Sequence, residues 1–232
     1  MHNENYDTGL EFYQHYIRRK NINDWYAHLT GFVATNVTVN ITIPTQSDPV
    51  PVKSVFSWII IHQHLRYSFD WNRNWADYKN GFGSIDADFW LGLQKMHLLT
   101  SSQPHRLRVE VQERSTNLWY SAEYWSFKIG DGLNVEKYRL DVSGYSGDAG
   151  DALQYEGEWN GNGKFGFYYH SGMKFTTYDQ DNDHGDNNCA TWHSGGWWYN
   201  RCYWSCLTCM KTYYTWGRPM LLVNSRMMMK PQ

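Results

Sequence analysis

The chain has 232 residues, of which 41% are hydrophobic and 19% charged, with a formal net charge of -2. That balance excludes a disordered chain and allows one large domain or a domain with an extension. Nucleic acid is not expected as a partner, because phosphate binding calls for a basic stripe and the densest basic group here is Arg18-Arg19-Lys20. No membrane span is expected either, since the longest apolar stretch, around Val55 to Ile61, falls far short of the ~20 residues required.

Residues 1 to about 53 read differently from the rest and form an N-terminal extension or a remodelled N-terminal subdomain; residues 54–232 form the main domain. The polar start, Met1 to Asn5, does not read as a signal peptide. A helix is predicted near Gly9 to Arg19 and a half-buried strand from Phe32 to Ile43, where Val37, Val39, Ile41 and Ile43 alternate with Thr and Asn. Asn36-Val37-Thr38 and Asn40-Ile41-Thr42 are N-glycosylation sequons, which favour the secretory route. The prolines between Thr45 and Pro51 break the strand, and Val55 to Ile61 reads as one buried strand. Helices are predicted over Arg73 to Lys79 and Asp86 to Met96, and strands over Leu107 to Gln112, Tyr120 to Ile129 and Tyr138 to Val142. From Gly144 onward Gly, Asp, Asn and Ser recur every few residues and predict mostly loop. The pattern is α+β, with little helix. Thirteen Trp and 18 Tyr beside 19 Gly suit a loop-rich extracellular domain, because large rings bury much area per residue.

The densest run of oxygen donors is Asp179-Gln180-Asp181-Asn182-Asp183-His184-Gly185-Asp186-Asn187-Asn188. Calcium takes six to eight oxygen ligands, and a tight loop of this kind is able to supply several. It is not an EF-hand: counted from Asp179, the positions that need Gly and Glu hold His184 and Ala190. A solvated Asx-turn loop is the alternative. Four cysteines, Cys189, Cys202, Cys206 and Cys209, admit three pairings. Cys206-Leu207-Thr208-Cys209 has neither a second C-x-x-C nor a thioredoxin-like context, so a local disulfide or two thiols are expected rather than zinc or redox chemistry. His62-Gln63-His64 places two histidines on one strand face, which permits zinc, but reads first as two solvated side chains near a strand edge. No Ser/His/Asp set, P-loop or dinucleotide fingerprint is present, so no catalytic residue is assigned and an enzyme is not expected.

Several ordered motifs resemble the fibrinogen C-terminal domain family, which includes fibrinogens, ficolins, tachylectins, tenascins and angiopoietins. They are Phe69-Asp70-Trp71-Asn72-Arg73 through Tyr78-Lys79-Asn80-Gly81-Phe82-Gly83, then Asp88-Phe89-Trp90-Leu91-Gly92-Leu93, then Tyr138-Arg139-Leu140 with Gly144-Tyr145-Ser146-Gly147-Asp148. Asp181-Asn182-Asp183, Asn188-Cys189-Ala190, Gly195-Gly196-Trp197-Trp198-Tyr199 and Cys202 follow, and Met229-Lys230-Pro231 ends the match. The resemblance implies a central antiparallel sheet, few short helices and a loop-rich calcium-binding C-terminal subdomain. It implies Ca2+ held by the side chains of Asp181 and Asp183 and the carbonyls of Gly185 and Asn187, with a Cys189–Cys202 disulfide beside it. Such a bridge is worth ~2–4 kcal/mol. It further implies a ligand pocket in which Cys202 and Tyr203 supply backbone N–H donors, His193 forms one wall, and Arg201 lies alongside.

Four departures from the family stand out. No Cys precedes Cys189, and the Gly-Gly-Trp that opens the family's central strand reads Phe56-Ser57-Trp58. Residues 154–170 read as an insertion, and the stretch from Cys202 to Met229 is short. The expected function is that of a secreted, lectin-like domain binding acetylated carbohydrate or microbial glycans in innate defence. The alternative is a protein receptor-binding module of the angiopoietin or matrix type. Homo-oligomers would form through segments not seen in this chain.

Overall fold

β-Branched residues in alternation build the first edge of the sheet. In the computed structural model, which describes residues 37–65, 69–133, 135–154, 169–210, 214–217 and 220–232, strand β1 (Val37–Ile41) pairs antiparallel with β2 (Val50–Val55). The predicted helix near Gly9 to Arg19, the start of the first predicted strand, and most of the 154–170 insertion lie outside the described residues. β3 (Trp58–His64) follows, then helix α1 (Trp75–Asn80), the short strands β4 (Phe82–Gly83) and β5 (Phe89–Trp90), and helix α2 (Leu93–Ser102). β6 (His105–Glu113), β7 (Trp119–Ile129) and β8 (Leu140–Gly147) form a meander. The short helix α3 (Cys189–His193) precedes the last strand, β9 (Leu222–Pro231). The sheet order is β1-β2-β3-β9-β6-β7-β8, with β5 added beside β3. The α+β class and the antiparallel sheet with few short helices agree with the expectation.

β9 occupies the centre, hydrogen-bonded to β3 on one side and β6 on the other. Sequence reading had assigned that region mostly to loop. Met227, Met228 and Met229 are all buried, so both faces of β9 are covered and no alternation marks it. One face packs Leu107, Val109, Val111, Met227 and Met229 into the main core. The other carries a buried ion network across three strands. Arg108 Nε donates to Glu110 at 2.7 Å, Arg226 Nε to Glu110 at 2.5 Å and Arg106 Nη2 to Glu123 at 2.7 Å, while Arg108 also pairs with Glu123. A one-residue slip of β9 would carry Arg226 to the apolar face, so the network opposes wrong registers.

Three local expectations need correction. The helix assigned to Asp86–Met96 starts at Leu93 instead, because Phe89–Trp90 is drawn into the sheet beside β3; Leu93, Met96, Leu99 and Thr100 form its buried face. His62 and His64 are not solvated near an edge. β3 is an interior strand, and their rings lie 5.0 and 5.2 Å from that of Trp71, with Tyr214 4.2 Å from His64. Val55 to Ile61 is not one strand either, but the end of β2, a two-residue turn and the start of β3.

That turn holds Phe56 at φ +48° and Ser57 at φ +66°. A two-residue hairpin with positive φ at both positions matches strand twist, and favours Gly or Asn there. Phe56-Ser57 offers neither and bears the left-handed strain. Ser57→Gly is therefore expected to stabilise the fold by about 0.5–1 kcal/mol, read as a higher urea midpoint at unchanged slope. A lower midpoint would refute the strained-turn reading.

Candidate functional site

The acidic run forms a loop on which most polar groups hold the scaffold. Asp179 accepts from the Trp75 N–H at 2.9 Å, capping the first turn of α1 across 104 residues, and from the Thr177 hydroxyl at 2.7 Å. Asn182 donates to the Phe175 carbonyl at 2.8 Å, and Asn188 donates to the Thr177 carbonyl at 2.9 Å while capping α3 through the Thr191 N–H. His184 is tied to Asn200 through both backbone and side chain.

Asp183 is the centre of this group. One oxygen accepts from the Gly185 N–H at 2.7 Å and the other from the Cys189 N–H at 2.9 Å. Burial pushes its carboxyl above the usual range, and the nearby Asp181 charge adds to this, while the two N–H donors pull the other way. Among the described residues neither Asp181 nor Asp183 has an ion-pair partner. Gly185 shows how close the oxygens come: a Cβ there would sit 2.9 Å from both Asp183 Oδ1 and the Asn187 carbonyl. Two adjacent carboxylates without a counter-charge, and oxygens converging over a glycine, fit a hard divalent cation. Asp181 and Asp183, with the carbonyls of Gly185 and Asn187, are the residues able to hold it.

Cys189 carries this loop to the next wall. It is bonded to Cys202, and Cys206 is bonded to Cys209, so the C-x-x-C is a local disulfide. An open cleft of about 260 Å³ lies between the loop and the bridge, lined by Gly185, Asp186, Asn187, Trp192, Arg201 and Cys202. Arg201 and Cys202 thus line the cleft, together with the loop residues Gly185 and Asn187. His193 and Tyr203 pack on each other edge-to-face at 4.7 Å, and Tyr203 is buried. Their side chains are not among those lining the cleft. Sequence reading missed Trp192, which is 65% exposed, and Asp186 as cleft walls. No sequence signal separates Trp192 from the buried tryptophans around it.

Three contacts hold the floor rigid. Gly196 N–H donates to the Tyr78 hydroxyl at 2.9 Å, and that hydroxyl donates to the Trp71 carbonyl at 2.8 Å. Gly195 and Gly196 are required by proximity, since a Cβ would lie 2.1 Å from the Thr208 carbonyl or 2.6 Å from the Tyr78 ring. The third contact is His170, fully buried. Its Nδ1–H donates to the Trp198 carbonyl at 2.7 Å, and its Nε2 accepts from the Trp204 and Ser205 N–H groups at 3.2 and 3.1 Å. Only the neutral tautomer protonated at Nδ1 satisfies all three partners.

Burial lowers the His170 pKa from 6.5 to about 4. The unfolded chain binds the proton more tightly, so this contribution is complete above pH 6.5 and is lost as pH falls toward 4. Its size is about 3 kcal/mol. His62 and His105, also lowered by burial, act in the same direction. Urea midpoints should fall between about pH 7 and about pH 4.5, and His170→Gln should be weaker at pH 7 with a flatter profile. An unchanged pH slope in that variant would contradict the role assigned to His170. At the loop, Asp181→Asn keeps an oxygen for the Asp183 N–H while removing one of two facing charges. In chelator at neutral pH its melting temperature should equal or exceed that of the parent, and a clear drop would contradict the unbalanced-charge reading.

Residues 53–220 match the family described as fibrinogen beta and gamma chains, C-terminal globular domain. The chain is 43% identical to human fibrinogen alpha chain over 155 residues, 64% of this chain and 17% of that protein. It is 38% identical to bovine fibrinogen-like protein 1, covering 63% of this chain and 46% of that one, and 39% identical to bovine angiopoietin-related protein 1, covering 62% and 26%. The chain therefore spans less than half the length of these relatives. Among solved structures, the fibrinogen-like globe domain of human ANGPTL2 superposes with a TM-score of 0.71 at 29% identity, over 89% of this chain and 97% of that one. Lamprey fibrin D-dimer, solved with the peptide ligand Gly-His-Arg-Pro-amide, superposes with a TM-score of 0.72 at 28% identity, over 84% and 68%. The chain belongs to the fibrinogen C-terminal domain family.

Proposed function

We propose that this chain is a secreted, non-enzymatic recognition domain, stabilised by calcium, that binds acetylated sugars or microbial glycans in innate defence. The observation that carries the reading is the cleft itself, walled by the acidic loop on one side and by Arg201, Cys202 and the exposed Trp192 on the other. Two disulfides fit an oxidising compartment. Among the described residues no helix is long and apolar enough to cross a membrane.

The chemistry suits a small polar ligand with one apolar face. The Trp192 indole offers a flat apolar surface to ring C–H groups or an acetyl methyl. Arg201 supplies donors in a fixed plane, and Asp186 accepts from hydroxyls. Calcium, held by Asp181 and Asp183 with the Gly185 and Asn187 carbonyls, supplies the positive charge that these carboxylates lack. Gly185 and Asn187 line the cleft and would hold the ion, so the loop would couple the two sites. A ligand this small gives weak binding per site, so useful avidity calls for several domains in one assembly.

A second reading is a protein-binding module, favoured by the openness of the cleft and by the peptide seen on lamprey fibrin. The two are separated by retention on N-acetylated resin against the same resin without acetyl groups. Selective retention is expected in calcium, with displacement by N-acetylglucosamine and release by chelator. Trp192→Ala should weaken retention by about tenfold or more, roughly 1.4 kcal/mol. Equal retention on both resins, with displacement by Gly-His-Arg-Pro-amide from an immobilised peptide, would replace the sugar reading with the second one.

A further inference from the structure

Among the described residues strand β1 ends the sheet, with β2 as its only partner. From Val37 to Ile43 the strand and the two residues after it are rich in β-branched side chains and hold neither a charge nor a proline. An uncharged, β-branched edge invites pairing with another chain, and proteins commonly block such edges. Among the described residues, Lys53 of β2 is the one charged side chain that bonds to it, its ammonium donating to the Thr38 hydroxyl at 3.1 Å.

The register shows which residue faces the open side. Asn40 lies opposite Pro51. Pro51 has no N–H, so this is a non-hydrogen-bonded pair, and the Asn40 N–H and C=O point away from β2 toward the open edge. From Val39 onward the side chains also divide by face, while Val37 is exposed. Val39 and Ile41 pack against the core, Ile43 is fully buried, and Thr38, Asn40 and Thr42 lie exposed on the other face. The second sequon therefore presents its acceptor amide and its hydroxyl on one solvent-facing side of the strand. Asn36 of the first sequon lies outside the described residues.

We propose that Asn40 carries an N-linked oligosaccharide, and that this glycan shields the open edge of β1. In the transfer, the Asn40 side-chain nitrogen bonds to the anomeric carbon of an oligosaccharide carried on a lipid pyrophosphate. The bond from that carbon to the pyrophosphate oxygen breaks, the lipid pyrophosphate leaves, and the amide proton passes to a base of the transferase. The glycan then stands beside the N–H and C=O of the same residue, which no described strand pairs and where a second strand would dock. The proposal rests on passage through the secretory route but not on what the cleft binds.

The test expresses the full chain behind a cleavable secretion leader in cultured eukaryotic cells. Protein from medium and cell extract is digested, and peptides are weighed before and after enzymatic glycan release, which converts a glycosylated Asn to Asp. Residue 40 should be converted, Asn40→Gln and Thr42→Ala should each lose one glycan, and Thr42→Ser should keep it. Asn40→Gln should also form higher-order species at least about tenfold faster than the parent, through edge pairing. An unmodified Asn40 in both fractions would overturn the assignment. Equal aggregation with and without the glycan would overturn its shielding role. Neither result bears on resin retention, so failure here and failure of the sugar reading are distinguishable.

Discussion

The geometry of the cleft depends on one partly buried carboxylate. Asp183 accepts from the backbone N–H of Gly185 and of Cys189. The first bond shapes the loop, and the second fixes the start of α3. Because Cys189 is bonded to Cys202, the same carboxylate positions the opposite wall, where Arg201 stands. Its ionised form is the better acceptor for both N–H groups, yet burial and the neighbouring Asp181 disfavour that form. A cation held by the pair would resolve the conflict and leave the loop's hydrogen bonds in place.

The rest of the subdomain supports that arrangement with polar staples rather than regular structure. Between Ala149 and Tyr214 the described residues contain only one short helix and isolated bridges. Such a segment must satisfy its backbone through side chains. His170 serves three backbone groups, Tyr78 serves two, and Asn182 and Asn188 each fasten the loop to 175–177. The ring cluster around Trp71, Tyr78, Trp90, Phe175 and Trp198 supplies the apolar base beneath them, with several centroid distances of 5–6 Å. Loop, cleft and core therefore lean on each other, and a change of protonation at His170 reaches Trp198 and Ser205 directly.

Much of this was legible in the sequence where chemistry is concentrated locally. The oxygen-rich run, the neighbouring cysteines and the Gly195-Gly196 pair all announce a constrained loop. The reading of β6 and β7 holds with small errors at the ends, and alternation marks β1 within a predicted strand whose start lies outside the described residues. What could not be read depends on distant partners. Nothing local tells that Asp179 caps a helix 104 residues away while Asp183 does not. β9 has three consecutive buried methionines because both faces of this central strand are covered, which erases the period-2 signal. The turn at Phe56-Ser57 lacks the Gly or Asn that marks such turns, so two strands read as one. His62 and His64 looked solvent-facing because their covers, Trp71 and Tyr214, come from elsewhere in the chain.

The most direct test of the account is amide hydrogen exchange at Gly185 and Cys189, the two groups that donate to Asp183, measured with calcium and with chelator. The account predicts that calcium slows exchange at both amides by about tenfold or more, while amides of the central strands β6 and β9 change little. Equal exchange at Gly185 and Cys189 in the two conditions would contradict it.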